Sequence, residues 1–419
     1  MTRLENTRTP GRRGGAALVL AFVAVVAMLA GACTTVLTRS PVPASEAETA
    51  APYGIVSKGG NRVRDWGDEL SAGTRDDLIA NWSKLQRAAH KDAIAAGEPI
   101  REISLALSGG GPDGAFGAGV LNGWSARGDR PEFTIVTGIS TGAIIAVFAF
   151  LGPDYDDELT EVYTTYETSQ LMQRAIFAGL TGGTALMDTR GYRGLIERYI
   201  DDTVVQRLAE EYERGRALLI GTTNLDAARP VFWNASAIAA SGHPMAKRLI
   251  HDIVQASSAI PAVFPPVLIP VVTADGKTYD EMHVDGGATQ QVMFFSPELP
   301  MRLVDEAVGA RFDRSIYVIM NNKLRKPYDP VRPRVVSIAG SALSSLLGGA
   351  GSGDVYKIYA IAERDGIELN VLAVPTDFDR EPQEAFDRDY MKALYDVGYE
   401  IGLAGDGWSP TPPEFEPWP

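Results

Sequence analysis

Beyond residue 101, short apolar runs rich in β-branched residues alternate with longer stretches whose apolar positions recur every three or four residues. The runs over 103–107, 133–137, 217–222, 231–235, 315–320 and 367–374 read as strands. Residues 114–125, 142–151, 195–214 and 391–403 read as helices. This alternation over 101–405 predicts an α/β fold, with a mostly parallel central sheet and helices on both faces. Ligands bind such sheets at the carboxyl ends of strands, so the loops there are where chemistry is expected. Ahead of this region, Leu70, Leu78, Ile79, Trp82, Leu85 and Ala88 fall near one helical face, which predicts a helical extension over 65–100. Residues 33–64 are rich in Ser, Thr, Pro and Ala at their start, show no apolar period, and predict a flexible tether. Residues 406–419 form a Pro-rich tail.

The first 32 residues are laid out as an address. Arg3, Arg8, Arg12 and Arg13 stand against one acid, Glu5. No charge follows from Gly14 to Ala32, and 18–29 is apolar throughout. A basic region, an apolar region and small residues before a cut make a secretory signal, expected over 1–32. The run Leu29-Ala30-Gly31-Ala32-Cys33 resembles a bacterial lipobox, whose cysteine is lipidated and becomes the first residue. Its usual Leu lies three residues before the cysteine; here Ala30 is there and Leu29 is one further back. The competing reading is an uncleaved membrane helix, because 19 uncharged residues nearly span ~30 Å at ~1.5 Å each. Arg12-Arg13 is followed by Gly-Gly-Ala-Ala, which does not support a twin-arginine signal. The expectation is an exported chain held to a membrane by acyl chains on Cys33. Thr34 after it favours the outer membrane or periplasmic face if the cell is Gram-negative.

Charge and composition narrow the classes. The chain carries 39 basic and 53 acidic residues, a net charge of −14, which argues against a nucleic-acid binder. Removing 1–32 takes away four Arg and one Glu and leaves −17, so bulk charge gives no attraction to anionic lipid. One Cys and four His leave little room for a disulfide or a His/Cys metal centre, and no metal is expected.

Three loops carry candidate chemistry. Ser108-Gly109-Gly110-Gly111-Pro112-Asp113-Gly114 follows the 103–107 strand and precedes a helix. Successive glycine N–H groups beside a helix N-terminus suit an anion, either a pyrophosphate or the oxyanion of an acyl intermediate. Gly138-Ile139-Ser140-Thr141-Gly142 lies between a strand and an apolar helix, the setting of a nucleophile elbow. Val284-Asp285-Gly286-Gly287 is a loop acid with accessible oxygens. A nicotinamide-binding oxidoreductase would use Gly109–Gly114 and needs an acid ending the next strand; Asp129 and Glu132 precede that strand and fit poorly.

Together the three loops resemble the patatin-like phospholipase family: a glycine-rich loop, G-x-S-x-G about thirty residues on, then Asp-Gly-Gly or Asp-Gly-Ala. Ser140 lies 31 residues after Gly109. The stretch from Gln255 to Pro266 (QASSAIPAVFPP) also resembles the family's run before its catalytic acid. The resemblance covers roughly 101–405. It implies a three-layer α/β/α sandwich and an acyl hydrolase that needs no cofactor and acts on phospholipids, lysophospholipids or related acyl esters. By the same resemblance, Ser140 is the nucleophile, Asp285 the general base, and Gly109, Gly110, Gly111 and Gly114 the oxyanion hole. One departure stands out: the family's loop reads G-G-G-x-R-G, and Asp113 replaces the Arg. That leaves open a catalytically weak lipid-binding or scaffold protein of the same fold. Within hydrolases, a Ser–His–acid triad is the rival, and His283, two residues before Asp285, is its candidate base. The apolar segment 260–272, with Phe264 and four Pro, is expected either to wall an acyl channel or to be buried core. Head group, chain length and oligomeric state are not set by the sequence.

Overall fold

The computed structural model describes residues 39–174, 185, 187–324, 328 and 330–412. The signal expected over 1–32 and the lipidation site Cys33 lie outside the described residues. The sheet contains β1 (Ala51–Pro52), β2 (Arg64–Trp66), β3 (Ile100–Leu107), β4 (Ile135–Ile139), β5 (Ala217–Asn224), β6 (Arg229–Asn234), β7 (Val267–Val272), β8 (Thr278–Asp285), β9 (Phe312–Met320) and β10 (Glu368–Ala373). Their order is β1-β7-β8-β5-β4-β3-β9-β10, with β6 on the other edge of β5 and β2 beyond it. The run β5-β4-β3-β9-β10 is parallel, and the strands beyond β5 pair antiparallel.

The helices that matter for the site are α1 (Ala72–Ala89), α2 (Gly114–Arg127), α3 (Thr141–Leu151), α4 (Ala246–Ser257), α5 (Val335–Asp365) and α6 (Arg388–Ala404). They cover both faces, as the alternation of the strands requires. Ile103, Leu105 and Leu107 of β3 point into a core shared with α2, α3, α4 and α6. Ala106 and the alternate residues Ile316, Val318 and Met320 of β9 point the other way, against Val355, Ile358 and Ile361 of α5. The expected α/β architecture with helices on both faces is therefore present. Helices α2 and α6 touch backbone to backbone: a Cβ on Gly119 would lie 2.9 Å from Tyr399 N, and one on Gly402 2.9 Å from Trp124 N. This close crossing fixes the helix that follows the glycine loop.

The strand and helix bounds differ from the sequence reading where local chemistry intervenes. The strand expected at 133–137 runs two residues later, so β4 ends directly at Ser140. The single helical stretch 195–214 is two helices, Arg190–Tyr199 and Asp202–Glu213, because the Asp201 side chain caps Val204 N–H at 2.9 Å and starts a new helix. The helical extension expected over 65–100 resolves into α1, capped by Ser71, and the short helix Lys91–Ala96.

The expected tether is corrected. Residues 39–64 lie on the sheet: Ala51 and Pro52 pair with Val272 and Val271, and Asp280 N–H donates to Ser40 C=O at 2.7 Å. This docking uses backbone bonds, one buried ion pair, Arg64–Glu281, and the irregularly spaced core residues Ile55 and Val63, so it leaves no apolar period to read. The start of the Pro-rich tail also docks. Ser409 exchanges backbone hydrogen bonds with Val371, and Trp408 packs on Trp124 and Tyr317.

Candidate active site

Strand register brings Ser140 and Asp285 together. β6 occupies one edge of β5 along 219–224. On the other edge, β4 runs parallel to β5 and ends at Ile139, opposite Gly221. β8 approaches the same edge antiparallel and ends at Asp285, opposite Thr222. The two strands therefore end face to face over adjacent residues of β5. Ser140 Oγ–H donates to Asp285 Oδ2 at 2.7 Å, across 145 positions of sequence.

Ser140 sits on a strained turn, with φ 55° and ψ −124°. Its N–H donates to Ser257 Oγ at 2.9 Å, and Ser257 Oγ–H donates to Gly221 C=O at 2.6 Å. The flanking glycines are required by contact. A Cβ on Gly142 would clash with Leu107 C=O and lie 2.6 Å from Ser108 O, and one on Gly138 would lie 2.6 Å from Gly142 C. Asp285 is buried. Its Oδ1 accepts Gly287 N–H at 2.7 Å. Burial pushes its pKa up to about 7, against the Ser140 and Gly287 hydrogen bonds, which pull it down. A carboxyl so raised is a far better proton acceptor than one in water.

The glycine loop lies against this pair: a Cβ on Gly109 would come within 3.2 Å of Ser140 Cβ. The four glycines expected to line an oxyanion hole divide into two sets. Gly109 N–H already donates to Gln291 C=O at 2.9 Å. Gly114 N–H donates to the carbonyls of Gly111 and Pro112, and its missing side chain makes room for Thr141 and Tyr163. These two therefore shape the loop, and the expectation that they donate to an oxyanion is corrected. The N–H groups of Gly110, Gly111 and Thr141 have no hydrogen-bond partner among the described residues. Asp113 accepts a hydrogen bond from Tyr390 O–H of α6 at 2.7 Å. The loop is thereby tied to the helix that packs on α2.

His283 is close in sequence but turned to other partners. Its Nδ1 is hydrogen-bonded with Thr222 Oγ1 at 2.9 Å, and its Nε2 with Glu281 Oε2 at 3.1 Å. Trp233 packs on its ring edge and donates to the same Thr222. Burial lowers the imidazole's pKa, opposed by Glu281. Neither ring nitrogen meets Ser140 or Asp285, so the structure does not assemble the triad. His251 is likewise engaged, with Ile200 C=O. The oxidoreductase geometry is also missing: β4 ends at Ile139 and is followed by Ser140, not by an acid. Among the described residues no cluster of three or more His, Cys, Asp or Glu is placed to hold a metal.

Three positioning residues escaped the sequence reading. Asn321, fully buried after β9, donates its N–H to Ser108 Oγ at 2.7 Å and its amide to Ser108 C=O at 2.8 Å. The Asn321-Asn322 pair closing an apolar strand was a readable signal. Ser257 sits within the QASSAIP run but was not singled out. Gln291 has no sequence signal. Its carbonyl accepts from Gly109, its amide donates to Gly287 C=O at 2.9 Å, and its N–H donates to Asp354 of α5 at 2.6 Å. The segment 260–272 splits. Ile269 of β7 is in the main core and Val271 is buried, whereas Phe264 joins Met172 and Ala259 in a separate apolar cluster. Ala259 C=O accepts Asp285 N–H at 2.9 Å, so that cluster borders the site.

Residues 105–296 match the family model for patatin-like phospholipase, which supports the family. The matched segment contains Ser140, Asp285 and the glycine loop. A solved structure, VipD from Legionella pneumophila, is similar at 13% identity, covering 74% of this chain and 67% of that one, with a TM-score of 0.35. No curated protein matches the chain.

Proposed function

We propose that this chain is a serine acyl hydrolase of the phospholipase, lysophospholipase or esterase type, working through a Ser–Asp dyad. The family match supports lipid acyl hydrolysis in general. The observation that carries the dyad is the 2.7 Å hydrogen bond between buried Ser140 Oγ and a buried carboxylate, with no histidine at the serine. Ser140 Oγ attacks the ester carbonyl as its proton passes to Asp285 Oδ2. The resulting oxyanion is received by the N–H groups of Gly110, Gly111 and Thr141, at a helix N-terminus. The alcohol leaves with the proton from Asp285. Water, deprotonated by Asp285, then attacks the acyl-enzyme; the fatty acid leaves and Asp285 returns the proton to Ser140 Oγ. The cluster of Met172, Ala259 and Phe264 supplies an apolar wall for the acyl chain.

The test is the pH dependence of hydrolysis of a soluble short-chain ester. Asp285 must be ionised to accept the proton, so kcat/KM should rise through an apparent pKa near 7 and level off above it. A rate already on its plateau at pH 5 would contradict Asp285 as the base. A folded chain that hydrolyses no ester would leave the lipid-binding scaffold reading.

We also propose that Cys33 is the first residue of the mature chain and carries the acyl anchor. Mass spectrometry of the N-terminal peptide from membranes should find it acylated; a chain that keeps residues 1–32 would overturn this.

A further inference from the structure

Helix α5 is longer than the sheet it covers. Its 31 residues extend roughly 46 Å, against roughly 30 Å for the nine residues of β9. It links β9 to the parallel strand β10, so it runs antiparallel to both and starts at their carboxyl ends, where the site lies. The residues that meet the sheet core, Val355, Ile358, Ile361 and Ala362, are all in its second half. The first half overshoots the sheet on the side of the site.

The overshoot is apolar and exposed. No charged residue occurs between Arg334 and Asp354. Val335, Ile338, Ala342 and Leu346 recur at spacings of three and four, and so form one stripe. Val335 is 84% exposed, Ile338 54% and Leu346 71%. A surface helix ordinarily turns such a stripe inward. At the outer end, Arg332 and Arg334 are both exposed. This gives local positive charge to a chain whose net charge is −14. At the inner end the helix joins the site: Asp354 holds Gln291, whose carbonyl and amide hold the glycine loop and the Asp285 loop. Among the described residues no helix is long and apolar enough to cross a membrane. Exposed apolar side chains gathered on one uncharged segment mark an interaction surface, and the cations at its tip suit the anionic headgroups of a lipid layer.

We propose that the exposed half of α5 docks the protein on a lipid surface, its apolar stripe among the acyl chains and Arg332 and Arg334 among anionic headgroups. Docking there sets the mouth of the site onto the layer that holds the substrate. This rests on the acyl-hydrolase reading for its purpose, though not for its test.

Two measurements decide it. In the full-length chain with Cys33→Ser, Leu346→Cys provides one attachment site for an environment-sensitive fluorophore. On mixing with phosphatidylcholine/phosphatidylglycerol vesicles, its emission should shift to the blue and be quenched by lipids spin-labelled in their acyl chains. A label at Glu306→Cys, on the helix Met301–Val308 that meets the opposite end of α5 at Asp365, should do neither. A label at 346 that stays in water overturns the proposal. So does one whose emission shifts with protein concentration alone, which would assign the stripe to a second copy of the chain. In the second measurement, Ile338→Ser/Leu346→Ser should lower turnover of vesicle phospholipid about tenfold and leave kcat/KM on a soluble ester within about twofold. Equal losses on both substrates, or none on vesicles, would overturn it. A wild-type chain that hydrolyses neither substrate strikes the hydrolase reading, and the fluorophore still decides the docking.

Discussion

Asp285→Asn should lower ester turnover by roughly 10⁴-fold and make the protein more stable at pH 8. The amide keeps the shape of the side chain, accepting from Gly287 N–H and facing Ser140 Oγ, but it cannot take the serine's proton. The stability gain follows from linkage. In the unfolded chain the Asp285 carboxyl loses its proton near pH 3.8, and in the folded one near 7. Between those values the folded state binds more protons, so stability falls as pH rises, and the full cost is present above pH 7. The variant has no such charge to bury. It should gain about 2–4 kcal/mol over the parent at pH 8, and little at pH 4. Chemical denaturation at the two pH values, beside an ester assay, measures both effects. An Asn variant with parental turnover would remove Asp285 from the mechanism.

The second large effect is structural and lies beneath the same strand. Arg64 forms a two-pronged ion pair with Glu281, one prong at 2.7 Å, and also donates to the carbonyls of Ala47 and Ala50. Both side chains are buried. Burial pushes Glu281 upward, but the charge of Arg64 and the hydrogen bonds of His283 and Arg64 outweigh it and hold the carboxyl at about 2. Arg64→Ala leaves a buried carboxylate with only His283 for company, and should cost about 3–5 kcal/mol. Arg64→Met/Glu281→Leu removes both charges and should recover most of that loss. Thermal unfolding of the two variants decides the matter. A single variant as stable as the parent would show that the Arg64–Glu281 pair contributes nothing to holding β8.

The parts of this protein that were legible in its sequence are those encoded locally. The motif around Ser140 could be read because a strained turn between strand and helix excludes side chains at Gly138 and Gly142. The glycine loop could be read as an anion site for the same reason. Which of its N–H groups are free could not, because Gly109 is satisfied by Gln291, 182 positions away. The pairing of Ser140 with Asp285 was expected only through resemblance, since two strands ending face to face on β5 leave no mark in either strand's own pattern. His283 shows the limit of reading by spacing. Two residues from Asp285 on one strand, it belongs to a buried polar network with Arg64, Glu281, Thr222 and Trp233. The docking of residues 39–64 was missed because backbone pairing, one ion pair and a few irregularly spaced core residues such as Ile55 and Val63 carry it. The long uncharged stretch of α5 was on the page as sequence, yet only its burial pattern shows that the apolar stripe faces outward.

The proposed chemistry requires an activated Ser140, and covalent labelling tests that directly. A fluorophosphonate reacts with a serine hydroxyl only where a neighbouring base takes its proton and donors receive the developing oxyanion. Mass spectrometry of the labelled full-length protein should find one adduct, on the peptide containing Ser140. That adduct should be absent from Asp285→Asn and present in a folded His283→Asn variant. An adduct that survives Asp285→Asn and vanishes with His283→Asn, or a folded wild-type chain that takes no label, would contradict the Ser140–Asp285 dyad.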